Sequence, residues 1–245
     1  MNANARRSSR KQKKAMIKAL IFDYDGTLSN RSESVYCFYN EYLRPFVPQL
    51  DNVEYEALLQ DLMYYDVNGI CSFEQRMPPF MARYGHLFPE GFEEQFRRNF
   101  IDKTWSYNVL KEETLEVIEK LKGQYKLAVL SNGSSTVQHN KIDHVDIGKY
   151  FDEVIVSGDI GIHKPDVRIF EYTLEKLRVK ADEALMIGDV YSTDIAGAIR
   201  AGIKTVWMVQ DQERPALSYK GYRIRNLREI FEILEREANE HTDKQ

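Results

Sequence analysis

The chain has 245 residues, 43% of them hydrophobic, enough to bury the core of one large domain or of two smaller ones. Lys and Arg number 34 against 38 Asp and Glu, a formal net charge of −4, so the molecule as a whole carries no electrostatic footprint for nucleic acid or an anionic membrane. Cys37 and Cys71 lie far apart with no zinc-ligand spacing, as for reduced thiols in a cytoplasmic protein, and no apolar run approaches the roughly 20 residues of a membrane span.

Residues 1–15 include Arg6, Arg7, Arg10, Lys11, Lys13 and Lys14 without an acid, and are expected to form a disordered basic tail. They hold no signal-peptide h-region; a nucleic-acid contact through this tail is left open, but none is expected. The stretch ALIFDYDGTL follows. Leu20, Ile21 and Phe22 read as a buried strand of a parallel sheet, with Asp23 at its carboxyl end, where open α/β sheets bind ligands. Residues two apart on an extended chain point the same way, so Asp23 and Asp25 can share one small site. Their mutual repulsion asks for a bound cation.

From Ser32 to Lys103 the period becomes helical, with Val35, Phe38, Tyr39 and Tyr42 on one stripe and Tyr55, Leu58, Leu59 and Leu62 on another. Breakers at Pro45, Pro48, Asn68, Gly69, Pro78, Pro79, Gly85 and Pro89 divide it into about four helices. Its aromatics are expected to be mostly core; Arg76, Arg83, Tyr36, Tyr39 and Tyr64 are candidates to line a substrate pocket. Beyond Trp105, strand and helix alternate: a helix over Glu112–Lys122, strands over Lys126–Leu130 and Glu153–Val156, and a loop to Lys164 and Pro165. There follow a helix over Asp166–Leu177, a strand over Ala184–Ile187, a helix over Thr193–Ala201, a strand over Thr205–Val209 and a last helix over Leu227–Glu237. No element is assigned between Gly133 and Glu153. This grammar predicts an α/β protein with a doubly wound parallel sheet. Residues 16–30 and 105–245 would form the core domain, and residues 31–104 an inserted helical cap.

Four polar groups then stand at or just beyond the carboxyl ends of different strands: Asp23 with Asp25, Ser131 with Asn132, Lys164, and Asp189 with Asp194. Each alone is ordinary turn or cap chemistry; a parallel sheet would make them converge. His163 receives no role.

These residues also match a known pattern. Asp23-Tyr24-Asp25-Gly26-Thr27 fits DxDGT, Ser131 fits the Ser/Thr of a second motif, Lys164 the lysine of a third, and Asp189 with Asp194 fits GDxxxxD. The chain thereby resembles the haloacid dehalogenase superfamily of hydrolases, with its Rossmann-like core and, in one branch, a helical cap after the first strand. LSNGSSTVQHNKID and SGDIGIHKPDVRIF look most like its nucleotidase-type phosphatases.

The resemblance implies that Asp23 is the nucleophile forming an aspartyl-phosphate and Asp25 the general acid and base. Ser131, Asn132 and Lys164 would bind the phosphate. Mg²⁺ would be held by the Asp23 and Asp189 side chains and the Asp25 backbone carbonyl, with Asp194 orienting Lys164 or a metal-bound water. The expected substrate is a small phosphomonoester, with a nucleoside 5′-monophosphate as one candidate. The alternatives are a 2-haloacid dehalogenase, a phosphosugar mutase or a non-catalytic binding protein of the same fold. Asp25 speaks against the dehalogenase, because a halide leaves without a proton.

Overall fold

The computed structural model describes residues 15–209 and 218–242. Residues 1–14 of the expected basic tail lie outside the described residues. Among the described residues the frame is one parallel sheet of six strands: β1 (Ala19–Phe22), β2 (Lys126–Ser131), β3 (Glu153–Val156), β4 (Ala184–Gly188), β5 (Lys204–Met208) and β6 (Tyr222–Ile224). Their order is β3-β2-β1-β4-β5-β6. The chain thus winds outward from β1 through β2 and β3 on one side, then returns to build β4, β5 and β6 on the other. The carboxyl end of β1 is the switch point of that winding, where a doubly wound sheet leaves a crevice.

The period-two alternation of strands explains why β1 is apolar throughout. Leu20 and Phe22 pack into one core layer, with Val117, Ile118 and Leu121 of α5 (Thr114–Leu121) and Ile230, Ile233 and Leu234 of α10 (Ile230–Thr242). Ala19 and Ile21 pack into the other, against Ile169, Phe170, Leu174 and Leu177 of α8 (Val167–Leu177) and Ala198 of α9 (Ala196–Arg200). A strand covered on both faces has no position for a polar residue until it emerges, and this one emerges at Asp23.

The segment after β1 forms four helices, α1 (Arg31–Leu43), α2 (Asn52–Asp66), α3 (Phe73–Tyr84) and α4 (Phe92–Lys103). They enclose their own core of Phe38, Tyr39, Leu58, Leu59, Phe80 and Phe96. Pro78 and Pro79 do not break this segment as expected but lie within α3. The Ser72–Gln75 capping box starts that helix, and buried Met77 and Phe80 on either side of the prolines hold its far half in place. Most aromatics of the segment are in or against this core, but Tyr64 is 77% exposed.

Three elements had no clear pattern in the sequence: α6 (Ser135–His144), the single-turn α7 (Ser157–Ile160) in what reads as loop, and the three-residue β6. The expected helix over Thr193–Ala201 opens instead with a π-helical turn, Tyr191–Ile195, before α9. No helix among the described residues is long and apolar enough to cross a membrane.

Candidate active site

The ends of β1, β2 and β4 and the loop before α8 bring most of the polar set together. Lys164 is 3% exposed, and its Nζ donates to Asp23 Oδ1 at 2.6 Å and to the carbonyl of Leu130 at 2.7 Å, with Asp194 Oδ1 at 2.8 Å. Asp23, Asp189 and Asp194 each offer a carboxylate oxygen within 4.8 Å of the others. Three acids thus face one buried ammonium. Burial, then Asp194 and Asp189, drive the Asp23 carboxyl well above the ordinary carboxylate range even though Lys164 opposes them. Asp189 is pushed up to about 7 by burial and then by Asp194, against Lys111 and Lys164. For Lys164, burial works against the charge, but Asp194 and then Asp23 outweigh it and hold the ammonium above its usual value. The all-oxygen donor set and its uncompensated negative charge fit a hard divalent cation such as Mg²⁺.

Two glycines make this crowding feasible. Gly26 has φ +88°, and a Cβ there would stand 2.4 Å from Asp189 Oδ2. Gly188 closes β4 where a Cβ would stand 2.5 Å from that of Asp194. The π-helical turn after β4 places Asp194 at this point; its Oδ2 accepts the N–H of Val190 at 2.9 Å and its Oδ1 a hydrogen bond from Thr193 at 3.2 Å. Both carboxylate oxygens of Asp194 are therefore engaged, one of them by Lys164.

Asn132, expected at the phosphate, spends its side chain on Lys164. Its Oδ1 accepts the Lys164 N–H at 2.8 Å and its Nδ2 donates to the Lys164 carbonyl at 2.9 Å, which fixes the loop that delivers the ammonium. Ser131 is 1% exposed at the end of β2.

The Asp25 carboxylate is held by two residues that the sequence reading did not single out, both on α6. Lys141 Nζ donates to its oxygens at 2.9 and 2.8 Å, and Gln138 Nε2 donates to Asp25 Oδ2 at 2.9 Å and to Ser131 Oγ at 2.5 Å. Burial alone would raise the Asp25 carboxyl, but Lys141 and then Arg31 overcome it and leave the group below its ordinary value. The last turns of α6 are anchored in their turn: the carbonyl of Lys141 accepts from Tyr24 OH at 3.3 Å and from Asn108 Nδ2 at 3.1 Å. The signal was a polar pair at helical i, i+3 spacing directly after a site strand. With Val137 and Ile142 among its few apolar residues, α6 shows no apolar stripe.

Beside Asp25 lies a cavity of about 280 Å³, bounded by α1 and α4 on one side and by the loop after β2 and α6 on the other. Of the five pocket candidates, none lines it. Arg76 and Tyr39 are buried in the helical layer, Arg83 pairs with Asp61 at 2.6 Å, Tyr36 OH donates to Glu56 at 2.6 Å, and Tyr64 is exposed. The charged residue that the helical segment does contribute is Arg31, at the start of α1.

Residues 20–208 match the model of the haloacid dehalogenase-like hydrolase family. Phosphoserine phosphatase of Thermus thermophilus is 29% identical over 198 residues, covering 76% of this chain and 78% of that protein. Pyrimidine 5′-nucleotidase YjjG of Escherichia coli is 29% identical over 122 residues, 49% of this chain and 54% of that protein. Among solved structures, the magnesium-bound HAD-hydrolase YfnB of Bacillus subtilis superposes with a TM-score of 0.69 at 26% identity, over 90% of this chain and 99% of that one.

Proposed function

Because this chain belongs to the haloacid dehalogenase-like hydrolases, we propose that it is a Mg²⁺-dependent phosphatase that cleaves small phosphomonoesters through a phosphorylated Asp23. The observation that carries this reading is the ion pair of Asp23 with buried Lys164 inside a cluster of further carboxylates at the sheet's switch point. A nucleophilic carboxylate and a phosphoryl group repel each other, and Lys164 together with a divalent cation held by the remaining carboxylates would offset that repulsion.

Asp23 attacks phosphorus with one oxygen while Lys164 holds the other and offsets charge on the transferring group. The Ser131 hydroxyl, oriented by Gln138, donates to a phosphoryl oxygen. Asp25, a carboxylate beside Lys141 in the resting site, must first take a proton from solvent. It passes that proton to the departing alkoxide and then takes one from the water that cleaves the acyl phosphate, a role that speeds such steps by ~10² to 10⁴. The side chains of Asp23 and Asp189 and the carbonyl of Asp25 would hold Mg²⁺, which supplies neutralising charge to the phosphoryl oxygens. Asp194 keeps Lys164 aimed. The helical layer of residues 31–104 acts as a cap that carries the substrate-selecting surface.

The phosphoserine phosphatase and the pyrimidine 5′-nucleotidase above are named for phosphate esters of different alcohols, so the family resemblance leaves the alcohol open, nucleosides included. A dehalogenase needs no acid where Asp25 stands, and a cluster this complete argues against a silent binding domain. Turnover of p-nitrophenyl phosphate with Mg²⁺ tests the reading. Activity should vanish in Asp23→Asn and fall by ~10² or more in Asp25→Asn. Full activity of Asp23→Asn would refute it.

A further inference from the structure

Resting on that phosphatase reading, we propose that the cavity beside Asp25 selects phosphomonoesters whose leaving alcohol carries a carboxylate, bound between Lys141 of the core and Arg31 of the cap.

The charged residues lining the cavity are Asp25, Arg31 and Lys141, two cations against one acid. Lys141 is matched by Asp25 at 2.8 Å. Arg31 is matched by Asp66, but Asp66 is shared: it accepts from both Arg31 and Arg76 and from the N–H of Gly69 at 3.0 Å. Arg76 is 3% exposed, stacks over the Phe100 ring at 4.2 Å, and its Nε has no hydrogen-bond partner. Arg76 and Asp66 lie behind Arg31 and outside the cavity lining; counting this buried group with Lys141 and Asp25, three cations face two carboxylates, leaving one positive charge unmatched in a largely buried setting. An uncompensated buried charge is costly, and a ligand of opposite sign removes that cost.

Volume narrows the ligand. About 280 Å³ lies at the lower edge of the range for small-molecule pockets, which suits a short alcohol rather than an extended one. One unmatched charge calls for one added anionic group, and a carboxylate supplies it on a two- or three-carbon frame. Nucleosides and simple sugars bring none. Lys141 and Asp25 also meet at this cavity, so the group that selects the alcohol sits against the residue that protonates it.

The test compares kcat/KM within size-matched pairs: 3-phosphoglycerate against glycerol 3-phosphate, and 2-phosphoglycolate against 2-hydroxyethyl phosphate, with p-nitrophenyl phosphate as a control for the transfer site. The wild type should prefer the carboxylated member by about 30-fold or more, the scale of a buried charge pair made or lost. Lys141→Met should lower turnover of both members, because Lys141 holds Asp25, and should shrink the ratio between them by about tenfold or more. Using the ratio cancels the shared loss. Equal use of both members, a preference for nucleoside 5′-monophosphates, or a preference untouched by Lys141→Met overturns the inference while the phosphatase reading stands. Absence of turnover with every substrate, the nitrophenyl ester included, overturns both.

Discussion

Gly26→Ala separates backbone strain from the geometry of the acid cluster. Gly26 has φ +88°, a conformation that costs an L side chain roughly 1–2 kcal/mol. For a chain of this size that is a fall in Tm of about 2–8 °C. The new Cβ would also lie 2.4 Å from Asp189 Oδ2, against 3.4 Å for ordinary contact, so the carboxylate must retreat by ~1 Å. A displacement of that size in a positioned group can cost ~10²-fold. Gly202→Ala is the control, because Gly202 has φ +77° but its Cβ would meet nothing closer than 3.7 Å. Thermal melts and Mg²⁺ titrations of p-nitrophenyl phosphate turnover read the outcome. Both variants should lose similar Tm, whereas Gly26→Ala alone should lose ~10² in kcat/KM and need more Mg²⁺. Wild-type turnover and Mg²⁺ demand in Gly26→Ala would refute the placement of Asp189 at the reacting centre.

Further outcomes follow from the buried charges. Lys164→Met leaves Asp23 and Asp194 without their cation, so turnover should disappear and stability should fall by about 3–5 kcal/mol in urea denaturation. Chelation with EDTA should abolish activity, Mg²⁺ should restore it, and Asp189→Asn should raise the Mg²⁺ needed for half-activation. Asp66 is buried, which by itself raises its carboxyl, but Arg31 and then Arg76 hold it below the ordinary range. A depressed folded-state pKa contributes stability above the unfolded value of ~3.9 and loses it as pH falls through the folded value. The stability gap between wild type and Asp66→Asn should therefore be full near neutrality and shrink below pH ~4, as read from urea midpoints.

What could be read from the sequence follows from how the sheet is buried. Its inner strands are covered on both faces, so each is an apolar run whose first polar residue marks the site edge; Asp23 and Asp189 stand out for that reason, as does Ser131, which closes β2. Gln138 and Lys141 escaped notice because α6 turns a polar face toward the site, and its pattern resembles that of a solvated segment. Arg31 escaped because nothing in its neighbourhood reveals that Asp66, a whole helix away, will bury it. The prolines of α3 misled through local logic: they forfeit hydrogen bonds that packing of Met77 and Phe80 offsets, and packing is not visible in one sequence. β6 is too short, at three residues, for alternation to register.

The central claim is that Asp23 carries the phosphoryl group between alcohol and water. Rapid acid quenching during turnover of a radiolabelled phosphomonoester, followed by peptide mapping, addresses it directly. The expected result is a hydroxylamine-labile label on the peptide containing Asp23, absent from Asp23→Asn. A label on any other residue, or sustained turnover by Asp23→Asn, would contradict the account.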